Sequence, residues 1–339
     1  MRLLLVDKRF PDEPEIERAV IGGAGDYEFY PVADDVPEDA WSKAEGIQTF
    51  RESKAVNAMA MAGKLKNCRI IVRGGVGFDN LDLQALGEMG IAVCNVPDYG
   101  TTEVADHAMA LFLALRRGIT TYNDALRKDP AAGWKYDAAP CVDRLRGRHF
   151  GIIGLGRIGT AAARRAQAFD MDVLFYDPEV PDGTDLATGY TRVASAEELV
   201  ESVDAVSIHT PLTEATARMM NADLLGRMRP GAVLVNTSRG PVIDLDALHA
   251  ALKDGTLGGA GLDVFPVEPA DASHPLISAY MKREAWIDGR LVLSPHAAFF
   301  SDDGNNDLRR KCVETMVDYI GDGRLRNCVN REWLRTGAN

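Results

Sequence analysis

The chain has 339 residues, long for one domain and suited to two. Its hydrophobic fraction of 46% and charged fraction of 26% are ordinary for a globular protein, and 38 basic against 50 acidic residues leave a net charge of −12. That balance argues against a general binder of nucleic acid or of anionic membranes, and no stretch approaches membrane length without a charge or a glycine.

The opening MRLLLVDKRF is too short in apolar residues for a signal core and reads as a first strand over residues 2–7, with a cytoplasmic address as the default. A helix over 14–21 ends at Gly22-Gly23, and strands follow near 27–30 and 46–50. A helical stretch at 54–63, an apolar run at 70–72, a helix at 81–88 and a strand at 91–94 continue the alternation. Strands alternating with helices argue for a parallel α/β sheet. The pattern breaks at 95–100, after which Thr101 or Thr102 can cap a helix with Glu103 in its first turn. That helix, EVADHAMALFLALRR, is apolar around most of its circumference, so burial between domains or subunits is expected. Residues 129–148 carry Gly133, Trp134 and Pro140 without a period, and read as a loop or an arm.

Residues 149–178 read HFGIIGLGRIGTAAARRAQAFDMDVLFYDP: strand, glycine turn, Ala-rich helix, second strand, acid. This is the order a dinucleotide site needs. Gly154 permits a tight turn, Gly156 lets the backbone approach a pyrophosphate, and Gly159 lets the helix sit close on the sheet. Asp177, eighteen positions after Gly159, is placed for ribose hydroxyls and would repel a 2′-phosphate, which favours NAD over NADP. A glycine turn alone also fits an ordinary α/β domain; the strand, helix and acid around it point to the cofactor.

Farther on, Ser195-Ala196-Glu197-Glu198 is a capping box, and Asp244 can cap a helix with Leu245, Leu248 and Leu252 on one face and Gly255 at its end. Strands at 205–208, 232–235, 260–264 and 291–293 bring the series that begins at Phe150 to six, a full dinucleotide-binding sheet. The stretch after Ser301 is one helix and a tail, too small for a domain, and the N-terminal α/β unit is its natural host. The five cysteines are scattered singly with no zinc spacing and read as buried or inert thiols, and no metal site is expected.

Three polar segments directly follow apolar strands: NTSRG at 236–240, DVFPVEP at 263–269 and SPHAA at 294–298. Side chains there should reach one crevice at the strand ends. Arg239, Glu268 and His296 are the groups that reduction of a 2-keto acid by NADH requires. A guanidinium grips the carboxylate and polarises the keto oxygen, an imidazolium protonates that oxygen, and a carboxylate favours the charged imidazole. Taken singly, each has a duller explanation: a turn histidine, a capping arginine, a solvated loop acid.

On these segments, with RGGVGFDNLDL (73–83), GIIGLGRIG (151–159), MRPGAVLVNTSRGPVID (228–244), GLDVFPVEP (261–269) and SPHAAF (294–299), the chain resembles the D-isomer-specific 2-hydroxyacid dehydrogenases. HAAFFSDD and RNCVN resemble the branch named for the C-terminal-binding protein, a transcriptional corepressor. The resemblance implies Arg239 as ligand of the substrate carboxylate and carbonyl, His296 as acid/base, Glu268 as its partner, and the amides around Gly75, Val76 and Gly77 as further carboxylate ligands. It implies an NAD site lined by Arg157, Ile158, Asp177, Thr210, Thr237 and Asp263, with Thr102 near the nicotinamide half.

The implied architecture is two Rossmann-like or flavodoxin-like domains, parallel sheets flanked by helices, with an active-site cleft between them. Residues 1–100 and 301–339 would bind substrate. Residues 101–300 would bind NAD and carry a dimerisation arm near 115–148. The expected function is an NAD-dependent D-2-hydroxyacid dehydrogenase, a homodimer acting on a small 2-keto or 2-hydroxy acid, with no nucleic-acid or membrane partner. An NAD-sensing, corepressor-like peptide scaffold is the alternative, against which stands the absence of a disordered or basic extension at either end of the sequence. Phe299 replaces the Trp usual in the corepressor branch, so substrate preference does not carry over. Phe50, Arg51, Tyr99, Phe299 and Phe300 are candidates to shape the substrate pocket.

Overall fold

The computed structural model describes residues 1–6, 13–50 and 53–334. They fall into two compact units, Met1–Gly100 with Phe300–Asn339, and Thr101–Phe299. In the first unit β1 (Arg2–Val6), α1 (Glu15–Ile21), β2 (Asp26–Tyr30), α2 (Glu38–Lys43), β3 (Gly46–Thr49), α3 (Ser53–Met61), β4 (Ile70–Arg73), α4 (Leu83–Glu88) and β5 (Ala92–Asn95) alternate as the apolar runs predict. Among the described residues they build a parallel sheet in the order β2-β1-β3-β4-β5, a flavodoxin-like order that reverses direction between β1 and β3. Both faces are covered, so the central strands are apolar throughout: Ile70, Ile71 and Val72 have no exposed surface. The short α2 carries too few residues to show a helical period, and the sequence reading passes over it.

The second unit begins with α5 (Thr101–Arg117) and α6 (Ile119–Lys128), joined at Gly118, whose φ of +64° favours glycine. Then follow β6 (His149–Ile153), α7 (Arg157–Ala168), β7 (Asp172–Tyr176), α8 (Thr184–Thr188), β8 (Thr191–Arg192), α9 (Ala196–Ser202), β9 (Ala205–Ile208), α10 (Ala222–Gly226), β10 (Val233–Asn236), α11 (Leu245–Lys253), β11 (Gly259–Leu262), α12 (Pro275–Met281) and β12 (Leu291–Leu293). The sheet is parallel, in the order β12-β11-β10-β9-β6-β7-β8, so direction reverses between β6 and β9, the switch point of a dinucleotide fold. It has seven strands among the described residues where six were expected. The extra one, β8, is a two-residue edge beside Leu174 and Phe175, too short to leave a pattern.

Helix α5 is buried on the sheet of its own unit. Ala105, Ala108, Leu111, Phe112 and Leu115 face α7, β10 and β11, and a Cβ at Gly261 would lie 2.9 Å from Leu111 Cβ. The other face of α5 is open: Ala110, Leu113 and Ala114 join Ile119, Leu145 and Phe169 in a groove of about 670 Å³. The expected caps form with one variation. Ser195 Oγ accepts the Glu198 N–H at 3.1 Å, while Glu198 Oε2 reaches back one residue farther than a capping box requires and accepts the Ala194 N–H at 2.8 Å.

The last helix, α13 (Asp302–Asp322), packs on α1, β3 and β4 of the first unit. Arg309 anchors it by donating through Nε and Nη2 to the two carboxylate oxygens of Glu17, both at 2.7 Å. Glu17 is fully buried and Arg309 nearly so, a paired geometry that compensates for two desolvated charges. All five cysteines are free thiols and four are buried, Cys328 being partly exposed. Cys94 and Cys328 sit opposite each other where the tail meets β5.

Candidate active site

The glycine turn after β6 is built as its sequence requires. Gly154 has φ +90°, and a Cβ there would lie 2.9 Å from the His209 carbonyl; one on Gly159 would lie 2.0 Å from Gly154 O. Gly156, by contrast, has nothing within 4 Å of where its Cβ would be. No side chain caps the N-terminus of α7 among the described residues, so the N–H groups of its first turn are left for a pyrophosphate. Arg157 is exposed beside it, and Ile158 packs on the core below.

Asp177, at the end of β7, accepts the Leu155 N–H at 2.7 Å and the Glu179 N–H at 2.9 Å. Its carboxylate is thereby fixed against the glycine turn, with lone pairs remaining for two hydroxyls. Thr210 Oγ1 and Thr237 Oγ1 are shut off from solvent with no hydrogen-bond partner among the described residues. An unpaired buried hydroxyl costs roughly 1–3 kcal/mol. The open glycine, the oriented acid and the two orphaned hydroxyls fit a dinucleotide. Thr102 lies in the first turn of α5, its hydroxyl donating to Glu103 Oε2 at 2.8 Å.

The chemical groups converge at the ends of β10, β11 and β12. Gly240 brings the turn after β10 against the segment after β11, since a Cβ there would fall 1.9 Å from the Phe265 carbonyl carbon. Arg239 stands just before it, with Nη1 donating to Ser238 O at 2.8 Å and its main chain held by Asn236 Nδ2 at 2.9 Å. Glu268 Oε1 accepts the Phe265 N–H at 3.1 Å, and Glu268 Oε2 meets His296 Nδ1 at 2.7 Å. Burial pushes the Glu268 carboxyl up, but the hydrogen bond and charge of His296, the Phe265 N–H and the charge of Arg239 together hold it below the ordinary carboxylate range. Arg239, Glu268 and His296 therefore share one site, and the His–Glu pair is open, with side chains 41% and 37% exposed.

His296 has φ +52°, rare for a residue with a side chain, and the loop around it is pinned from below. Its N–H donates to Asp263 O at 2.7 Å, while the Asp263 carboxylate accepts Ser294 Oγ at 2.6 Å and the N–H groups of Ala297 and Ala298 at 2.8 and 3.0 Å. Asp263 is fully buried and its carboxylate is engaged within the protein, so its geometry supports the histidine loop. A further member escaped the sequence reading. His107 on α5 places Nε2 2.8 Å from Ser294 Oγ and 3.6 Å from Asp263 Oδ1. Its one sequence signal is a polar residue inside an apolar helix.

In the first unit, Gly75 has φ +149° and a Cβ there would collide with Arg73 Nη1 at 1.6 Å. The loop is held through its carbonyls: Gly75 O accepts the Val96 N–H at 3.1 Å and Val76 O accepts Asn95 Nδ2 at 2.6 Å. No acceptor meets the N–H groups of Gly75, Val76 or Gly77 among the described residues. Of the candidate pocket residues, Phe299 packs edge-on to the His296 ring with centroids 6.1 Å apart. Phe300 is exposed, while Phe50 is a core residue, 1% exposed, with its ring where a Cβ on Gly74 would be. Tyr99 is also buried, and Arg51 and the end of the first strand at Asp7 lie outside the described residues.

The model of the D-isomer specific 2-hydroxyacid dehydrogenase family, NAD binding domain, matches residues 109–298, more than half of the chain. The chain belongs to the D-isomer specific 2-hydroxyacid dehydrogenases. Among the relatives of this dehydrogenase, a glyoxylate reductase of Korarchaeum cryptofilum (strain OPF8) is 38% identical over 270 residues, covering 79% of this chain and 77% of that protein. C-terminal-binding protein 1 of Caenorhabditis elegans is 32% identical over 331 residues, 91% of this chain but 44% of the relative. The crystal structure of an NADPH-dependent glyoxylate/hydroxypyruvate reductase from Sinorhizobium meliloti, in complex with NADP and malonate, superimposes with a TM-score of 0.82 at 28% identity, covering 97% of this chain and 96% of that one. The dehydrogenase is thus an oxidoreductase of the 2-hydroxyacid class with a nicotinamide cofactor. No helix among its described residues is long and apolar enough to cross a membrane.

Proposed function

We propose that the protein is an NAD-dependent reductase of a small 2-keto acid, interconverting it with the D-2-hydroxy acid. The observation that carries this reading is the 2.7 Å contact of His296 Nδ1 with Glu268 Oε2 beside Arg239. With Nδ1 engaged, the Nε2 atom of His296 is the one that delivers a proton to the keto oxygen, and Glu268 stabilises the imidazolium that supplies it. Arg239 binds the substrate carboxylate and polarises the carbonyl; in the first unit, Gly75, Val76 and Gly77, whose N–H groups meet no acceptor among the described residues, are assigned to substrate binding by the family resemblance. A bound nicotinamide supplies the hydride to C2.

For the cofactor, Gly154, Gly156 and Gly159 with Arg157 and Ile158 form the phosphate turn, Thr210 and Thr237 take polar groups with their orphaned hydroxyls, and Thr102 stands toward the nicotinamide half. Asp263 acts from beneath by fixing the histidine loop. Asp177 selects NAD, because a fixed carboxylate accepts ribose hydroxyls and repels a 2′-phosphate.

We place the chain in the C-terminal-binding-protein-like branch on its 32% identity over 91% of its length and on the HAAFFSDD and RNCVN segments. It works in the cytoplasm, where free cysteines such as its own persist. It dimerises through the apolar groove beside α5 and the arm that follows, where Ile119, Trp134 and Tyr136 are 62%, 81% and 93% exposed. The likeness to C-terminal-binding protein 1 also favours a second reading, a peptide-binding scaffold that senses NAD. A panel of 2-keto acids assayed with NADH and NADPH in parallel separates the two. Oxidation of NADH by a short keto acid supports the enzyme, and no oxidation by any member, with peptide binding, supports the scaffold.

A further inference from the structure

Strand β5 is the last strand of the first unit's sheet, and its outer edge is met by the tail that follows α13. The Val329 N–H donates to Val93 O at 2.8 Å and the Asn95 N–H to Asn327 O at 3.3 Å. These two bonds flank Cys94 and Cys328, which makes the cysteines a non-hydrogen-bonded antiparallel pair. In such pairs the Cα atoms are about 4.5 Å apart and the Cβ atoms face each other closely. Disulfides require Cα separations of about 4.4–6.8 Å, so the backbone already meets the demand.

The register is locked by Asn330, fully buried. Its Oδ1 accepts the Val93 N–H at 2.8 Å, and its Nδ2 donates to Ile91 O at 3.0 Å and Leu83 O at 3.2 Å. The two thiols differ. Cys94 is fully buried, whereas Cys328 is partly exposed. The Cys328 thiol is pulled down to about 6 by the hydrogen bond that Cys94 gives it, helped by the Asn330 backbone and the charge of Arg331. Giving that bond, together with burial, raises the Cys94 thiol. Cys328 is therefore the sulfur that a dissolved reagent can reach, and Cys94 is the resolving thiol directly opposite.

We propose that Cys94 and Cys328 form an oxidation site at which a hydroperoxide converts two thiols into a disulfide joining the two separate stretches of the first unit. The Cys328 sulfur attacks one peroxide oxygen, the O–O bond breaks, and the leaving oxygen departs protonated as water or an alcohol. The sulfur, oxidised by two electrons, becomes a sulfenic acid. The Cys94 sulfur then attacks it, the S–O bond breaks, and hydroxide leaves with the Cys94 proton as water. The hydroperoxide is reduced and nothing else is consumed. The resulting cross-link closes a loop that contains the whole second unit, so it restricts the unfolded chain strongly.

The test uses the full-length protein treated with hydrogen peroxide and mapped by non-reducing peptide mass spectrometry. Two of the five thiols should be lost, in one cross-linked peptide pair containing Cys94 and Cys328 and restored by dithiothreitol. The apparent melting temperature of the oxidised protein should rise by about 5 °C or more. In Cys94→Ser the sulfenic acid should be trapped by dimedone at Cys328, and in Cys328→Ser no cross-link should form. Oxidation confined to Cys68, Cys141 or Cys312 overturns the proposal, as does over-oxidation of Cys328 in the wild type without a cross-link. A cross-link that leaves the melting temperature unchanged overturns the stabilising role.

Discussion

Asp263→Asn tests how the catalytic loop is held. The substitution keeps the shape of the side chain but replaces one acceptor by an NH2 group. With the retained oxygen toward Ser294 and Ala297, the new donor faces the Ala298 N–H, now bonded at 3.0 Å to a carboxylate oxygen. One hydrogen bond to a charged acceptor is lost, worth roughly 1.5–3 kcal/mol, and a buried donor is left unpaired at roughly 1–3 kcal/mol. The lower desolvation cost of a neutral amide offsets part of this, leaving a net destabilisation of about 3 kcal/mol. For a unit of this size that lowers the melting temperature by about 6–12 °C. Because the same loop sets the φ of His296, kcat should fall by about tenfold or more while KM for NADH moves less. Differential scanning calorimetry with steady-state kinetics measures both. A variant that melts within about 2 °C of the wild type and turns over within a factor of two would refute the assignment of Asp263 as the support of that loop.

Asp177→Ala should shrink the preference for NADH over NADPH by about tenfold, the effect of ~1.4 kcal/mol, measured as the ratio of the two kcat/KM values; a wild type that already prefers NADPH contradicts the role given to that acid. Burial holds the His209 imidazole down to about 4, against 6.5 in the unfolded chain. A lowered folded value means that the unfolded chain takes up the proton first, so this stability is present above pH 6.5 and lost as pH falls toward 4, by up to roughly 3 kcal/mol. Urea unfolding at pH 7 and pH 4.5 should show a smaller acid loss in His209→Gln than in the wild type, and equal losses would remove His209 as the cause.

Local order was legible in the sequence wherever a signal fits inside one segment. The apolar runs at 70–72 and 205–208, the glycine turn before α7, and the caps at Ser195 and Asp244 each carry their own instruction, and the structure follows them. The three chemical residues were visible because each immediately follows a strand, and parallel strands deliver their ends to one edge of the sheet. Elements too short to show a period, α2 and β8, left no trace. Contacts between distant residues also left none: His107 meets Ser294 187 positions away, and Glu17 meets Arg309 292 positions away. The cysteine pair is the sharpest case, since only the meeting of the tail with β5 makes two scattered thiols neighbours. Phe50 shows what spacing leaves out: the sequence does not reveal that its ring is buried against Gly74.

Proton delivery by His296 is the step on which turnover depends most directly. With a short 2-keto acid and NADH, His296→Ala should lose about 100-fold to 10,000-fold in kcat. The NADH dissociation constant, read from nucleotide fluorescence, should stay within about threefold of the wild type, a difference of ~0.7 kcal/mol. Turnover in His296→Ala within about tenfold of the wild type, ~1.4 kcal/mol, or a loss of activity fully matched by a loss of NADH binding, would contradict it.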